Sequence, residues 1–310
     1  MSLFEPEEAM KRFRSAIGAA SGAVLAAMIL SCGTPQSQLP RIEELGRWLE
    51  SIRVANPALK NDPGVPVRIY VPLSMAQAAP RRTILALHGY RGNYSEWGSY
   101  TSIQKFSEEY GIAVVCPDMG GTLYETVYYP ETQVKWNEMP GGRWIPEILI
   151  PFLQTNYGLA RSREHTGIMG VSTGARGALL LSSLHPELFK AAAGISGYYD
   201  TTVMTGSPFI PTIYGPYAAF KERWEKDDNI MLLAANLADI PVFLAHGFKD
   251  RDIPIEQSQL LGIKLRQMQK KNPGRYQFDF RELPLMSHGW VYWREVTGEA
   301  MSFFDRTLAR

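Results

Sequence analysis

Residues 165–184 constrain the chain more than any other stretch. An apolar run ending in Gly170-Val171 leads into Ser172, and Thr173-Gly174-Ala175-Arg176-Gly177-Ala178 leads out into a leucine-rich segment. The five residues from Gly170 to Gly174 fit G-x-S-x-G, which marks a nucleophile only where a strand enters and a helix leaves. The pattern here predicts both. Such a turn stands the serine at the strand tip, and a Cβ at position 170 or 174 would crowd the strand–helix crossing. Ser172 is therefore the candidate nucleophile.

The remaining chain supplies a matching scaffold. Strand-like apolar runs at 65–72, 81–89, 112–118, 189–197, 240–247 and 276–283 alternate with helical patterns at 99–111, 143–158, 230–237, 256–271 and 293–309. Alternation of this kind predicts an α/β fold, a mostly parallel, doubly wound sheet with helices on both faces. Function is then expected at the C-terminal ends of the strands. Pro151 is expected to kink the helix at 143–158. Residues 41–54 place apolar side chains at 42, 45, 48, 49 and 52, a helical period, so a further helix is expected before the sheet. With 310 residues, 45% hydrophobic and 20% charged, a large core is affordable. A net charge of +1 excludes the basic excess of a nucleic-acid binder.

The N-terminus has the layout of an export signal: basic at 10–14, apolar at 15–30, polar from 31. The acidic residues before Met10 are foreign to such a leader, so Met10 is an alternative start. Ile29-Leu30-Ser31-Cys32 resembles a bacterial lipobox, which predicts lipidation of Cys32 and a membrane anchor in the cell envelope; plain secretion is the alternative. The expected organisation is a signal peptide at 1–32, a tether and N-terminal helix at 33–62, and a catalytic domain at 63–310. Cys116, the only other cysteine, lies in an apolar run and is expected buried in a strand.

A serine hydroxyl needs a base. Of five histidines, His88 and His246 close strands, His165 precedes the nucleophile strand and His185 ends a helix. His288 alone is placed like a base, on a loop after the last strand. Asp250 and Asp252 both follow the strand that ends near His246, and either carboxylate would complete a Ser…Asp…His order. Backbone N–H groups of Thr173 and Tyr90 are the candidate oxyanion donors. The aromatic stretches at 122–136 and 206–224 are expected to wall the site or to pack the domain edge.

The segments 85–97, 114–121, 170–200, 245–254 and 287–294 together resemble the esterase D and tributyrin-esterase branch of the α/β-hydrolases, which includes feruloyl esterases and the mycolyltransferase antigens. The resemblance covers about 60–310. It implies a serine carboxylesterase with an α/β-hydrolase fold, no metal, no dissociable cofactor, and a small-molecule or carbohydrate ester as substrate. It carries the triad onto Ser172, Asp250 and His288. Ile253-Pro254 is expected to start the next helix, which puts Asp252 close to a helix N-terminus as a cap or a charge facing the dipole. An acyltransferase of the same fold and a non-catalytic surface lipoprotein are the other readings. The family pattern has methionine and then glycines after the serine; Thr173, Ala175 and Arg176 depart from it. Nothing in the sequence sets an oligomeric state.

Overall fold

The strands are β1 (Trp48–Val54), β2 (Val65–Tyr70), β3 (Thr83–Leu87), β4 (Ala113–Pro117), β5 (Thr166–Val171), β6 (Ala191–Ile195), β7 (Val242–Gly247) and β8 (Phe278–Leu283), and β3 to β7 are short, fully buried runs. They pair in the order β1-β2-β4-β3-β5-β6-β7-β8. The β1–β2 and β2–β4 pairs are antiparallel, and every pairing from β4 to β8 is parallel. The computed structural model describes residues 45–75 and 81–310. The expected leader at 1–32 with Cys32, and the tether at 33–40, lie outside the described residues.

Helices cover both faces because the central strands are apolar on both. Leu85, Leu87 and Ile168 belong to one core cluster, with Leu180 and Leu265 from helices. Their neighbours Ile84, Ala86 and Met169 belong to the other, with Ile103 and Phe304. The helices are α1 (Glu96–Tyr100), α2 (Ile103–Tyr110), α3 (Gly141–Trp144), α4 (Ile150–Tyr157), α5 (Thr173–Leu184), α6 (Ile210–Tyr214), α7 (Lys221–Lys226), α8 (Ile230–Leu233), α9 (Glu256–Lys271) and α10 (Trp290–Thr307). Cys116 is buried in β4.

One local expectation is corrected. Residues 48–54 form edge strand β1 and not a helix. A register shift between Leu49 and Ile52 lets residues at helical spacing pack against the same core cluster. Arg68 on β2 also reaches Glu50 at 2.7 Å and lies 4.5 Å over the Trp48 ring. Residues 48–62 thus belong to the sheet domain. Between α3 and α4, a wide π-helical turn spans Ile145–Leu149. The disturbance precedes Pro151 because Pro146 and Pro151 both lack the N–H that a regular helix uses.

The segment after β4 carries a buried carboxyl. Glu125 Oε2 accepts from Leu123 N and Thr122 Oγ1, both at 2.9 Å, while Oε1 has no partner among the described residues. Burial outweighs these bonds and the nearby Arg176, and pushes Glu125 up to about 7. Its ordinary value is 4.5, so the folded chain keeps a proton that the unfolded chain releases. That stabilisation is full below the ordinary value and is lost as pH rises through about 7. Glu125→Gln keeps a neutral group at every pH. Its melting temperature relative to wild type is expected to climb over that window and then level off. Parallel melting curves across the window would show that Glu125 ionises as an exposed glutamate does.

Candidate active site

Ser172 stands where β5 meets α5, with φ +56° and ψ −122°. Its N–H donates to Ile195 O at 2.9 Å, so the turn is tied to β6. The turn closes because both flanking glycines are bare. A Cβ on Gly170 would lie 2.2 Å from Gly174 C, and one on Gly174 would lie 2.5 Å from His88 O. Strain at a non-glycine residue persists only where its surroundings over-determine it, and here the sheet on one side and α5 on the other do so.

His288 precedes α10, on the loop that leaves β8. Its Nε2 is 3.0 Å from Ser172 Oγ and its Nδ1 is 2.7 Å from Asp250 Oδ2. Trp293 meets the imidazole edge-on, with ring centroids 5.0 Å apart. Asp250 Oδ1 accepts from Asp252 N and Ile253 N, which orients the carboxylate. Of the two aspartates left open, Asp250 is the one brought to His288, and Asp252 is exposed. Asp252 does not cap a helix: α9 begins at Glu256, with Ile255 in the cap position.

One functional residue escaped the sequence. His246 lies at the end of β7 with its side chain fully buried, and its Nε2 is 3.2 Å from Asp250 Oδ2 and 3.0 Å from Ile253 O. Both neighbours are acceptors, so Nε2 carries a proton, and Nδ1 meets Ser258 Oγ at 2.8 Å. Asp250 is therefore held between two imidazoles. Burial alone would raise its carboxyl, but hydrogen bonds from His246 and His288 hold it well below the carboxylate range. The available signal was spacing: His246 precedes Asp250 by four residues across one tight turn.

The backbone N–H groups of Thr173 and Tyr90 have no acceptor among the described residues. Thr173 opens α5, where the helix dipole favours negative charge. The Tyr90 loop comes close because Gly89 is bare: a Cβ there would lie 3.2 Å from Ser172 Cβ. His88 fixes this loop. Its Nδ1–H donates to Gly89 O at 2.7 Å, and its Nε2 accepts from Met119 N at 2.7 Å. Burial pushes His88 down toward its neutral form, against the pull of Gly89 O and Asp118.

Ser172 and His288 open into a cavity of about 790 Å³. Leu123, Tyr198, Phe209 and Ile210 line one part of it, and Trp290 and Trp293 also face it. Both readings of the aromatic stretches hold in part. Leu123 and residues 206–210 wall the cavity, while Ile213, Tyr214 and Trp224 do not line it and pack in one cluster with Leu123, Tyr198 and Ile210.

A nucleophile turn, a base and a buried acid on a doubly wound sheet define a serine hydrolase of the α/β-hydrolase fold. The chain belongs to the putative esterase family, whose model matches residues 59–300. It is 33% identical over 127 residues to an acetyl esterase of Caldicellulosiruptor saccharolyticus, covering 41% of this chain and 45% of that protein. Over 319 residues it is 23% identical to the diacylglycerol acyltransferase/mycolyltransferase Ag85A of Mycobacterium tuberculosis, covering 90% of this chain and 87% of that one. Among solved structures, an S-formylglutathione hydrolase from Agrobacterium tumefaciens superimposes with a TM-score of 0.65 at 17% identity, covering 83% of this chain and 94% of that one.

The geometry ranks three substitutions. Asp250→Asn is expected to lower kcat by up to about 10⁴, because the imidazole loses its tautomer. His246→Gln loosens one charged hydrogen bond, of about 1.5–3 kcal/mol, and is expected to lower kcat by an intermediate factor. Asp252→Asn leaves the Asp250–His288 bond intact and is expected to lower kcat far less than Asp250→Asn. Steady-state kinetics on one p-nitrophenyl ester checks the order. A larger fall for Asp252→Asn than for Asp250→Asn would overturn it.

Proposed function

We propose that the protein is a serine carboxylesterase acting through an acyl-enzyme on Ser172. The observation that supports this most is the hydrogen-bonded chain from Ser172 Oγ through His288 to the buried Asp250, opening on the cavity. Ser172 Oγ attacks the ester carbonyl carbon while His288 Nε2 takes its proton. Charge on the carbonyl oxygen is met by the N–H groups of Thr173 and Tyr90. The C–O bond to the alcohol breaks, and the alcohol leaves with the proton from His288. Water then repeats the sequence on the acyl-enzyme and releases the acid. Asp250 stays ionised and stabilises the imidazolium in both halves.

The substrate class proposed is a short-chain acyl, acetyl-sugar or feruloyl ester. The acetyl esterase relative supports the first two over the part of its length that matches. A feruloyl esterase B of Neurospora crassa, 24% identical over 149 residues, supports the third. Transfer to an alcohol is the second reading, favoured by the 90% coverage against the Ag85A acyltransferase. Product partition between water and added sugar or glycerol separates the two. Ser172→Ala is expected to lower hydrolysis of p-nitrophenyl acetate by about 10³-fold or more and to end labelling by a fluorophosphonate. Retained turnover in a folded Ser172→Ala protein would remove this serine from the mechanism.

Anchoring to a membrane is proposed on sequence alone, from Ile29-Leu30-Ser31-Cys32 after the apolar run. A lipid-modified N-terminal peptide starting at Cys32 is expected by mass spectrometry of protein from its native host. An unmodified Cys32 would overturn it.

A further inference from the structure

Arg176 is one helical turn past the nucleophile and fully buried, and its N–H donates to Ser172 O at 3.2 Å. The ester reaction leaves this residue without a role. Removing a guanidinium from water is expensive unless its donors are filled. Here Nη1 and Nη2 are filled by Leu123, which lines the cavity, and by Asp228 and Tyr214, which lie outside its lining. Nη1 donates to Leu123 O at 2.6 Å, and Nη2 to Asp228 O and Tyr214 Oη, both at 2.9 Å. Tyr214 Oη donates in turn to Asp228 Oδ2 at 2.9 Å. The same carboxylate accepts from Thr126 N at 2.8 Å and Thr126 Oγ1 at 2.6 Å. The guanidinium also lies 5.5 Å from the Tyr198 ring centre and 6.0 Å from that of Tyr214.

We propose that Arg176 is a positioning residue that fastens both wall segments to the nucleophile helix and so sets which esters fit the cavity. This deepens the esterase reading and rests on it. Three cavity-lining residues hang on this one cation. Leu123 is held by its own carbonyl, Tyr198 by its ring, and Ile210 because it opens the five-residue helix that ends at Tyr214. Helices α6, α7 and α8 have five, six and four residues. Helices this short do not hold themselves. Their place depends on side-chain bonds, and a planar fork with five donors can join three partners at once. A lysine keeps the charge but carries its three donors on one nitrogen, without the planar spread that reaches partners on separate segments.

The test compares wild type with Arg176→Lys, Arg176→Met and Tyr214→Phe. Each is assayed on p-nitrophenyl esters from acetate to decanoate and on a matched series of alkyl acetates, together with its rate of labelling by a small fluorophosphonate. Labelling and kcat on p-nitrophenyl acetate are expected to stay within about threefold, while Arg176→Met raises KM for the larger esters by about tenfold or more. Arg176→Lys is expected to fall between Met and wild type. Tyr214→Phe removes one hydroxyl, keeps the ring, and is expected to shift KM the same way by less. It carries the test if Arg176→Met does not fold. A size profile parallel to wild type in the folded variants overturns the proposal. Uniform loss on every ester with slowed labelling also overturns it, because Arg176 would then be supporting Ser172 itself. A wild-type protein that resists labelling overturns the nucleophile reading beneath it, a result distinct from the other two.

Discussion

The left-handed backbone at Ser172 is the constraint on which the site depends. A non-glycine residue at φ +56° is held only by packing. Packing here means contact distances that leave no room for a methyl group. Gly170 and Gly174 face each other, and Gly174 also faces the carbonyls of Leu87 and His88. β5 is central, paired to β3 on one side and β6 on the other. The oxyanion loop after β3 and the serine after β5 are therefore neighbours by register. Sheet geometry brings Tyr90 to Ser172 before any side chain is considered.

Charge is handled in the same economical way. A buried carboxylate is tolerated when its lone pairs are filled. Asp250 has two imidazoles on Oδ2 and two backbone N–H groups on Oδ1. These donors hold its negative charge in place, which is what an imidazolium on His288 requires. His246 serves that end without touching the cavity. By contrast Glu125 has one unpartnered oxygen and is pushed toward its neutral form. These two buried carboxyls thus shift in opposite directions, because both oxygens of Asp250 are hydrogen-bonded and, among the described residues, only one oxygen of Glu125 is.

Legibility followed the range of the interaction. The central strands, the turn at Ser172 and the loop position of His288 were readable because each depends on residues adjacent in sequence. The choice between Asp250 and Asp252 needed the family resemblance, since both follow the same strand. β1 reads as a helix because its apolar residues keep a helical period, and a register shift against β2 lets Leu49 and Ile52, three apart, pack on one cluster of a strand. His246 was set aside as a strand-end residue. Its role depends on a tight turn that returns Asp250 to it, and periodicity does not describe a turn. In the sequence Arg176 is only the residue that follows the departures at Thr173 and Ala175. Its partners lie 53, 38 and 52 residues away in sequence, so no local pattern could name them.

These facts divide the molecule into parts held by different forces. The floor of the site is built from sheet pairing and glycine contacts, which tolerate almost no substitution. The wall is built from short helices and turns, held by side-chain bonds that converge on one cation. Changing a wall residue therefore alters the cavity without disturbing the strand–helix crossing that carries Ser172. The exception is Arg176, which belongs to both: its backbone is in the nucleophile helix and its guanidinium is in the wall. A position that links the rigid part to the adjustable part transmits the reference frame of the reacting serine to the surface that meets the substrate. That is a physical reason for a charged residue to occupy a buried site where an apolar one would be cheaper to bury.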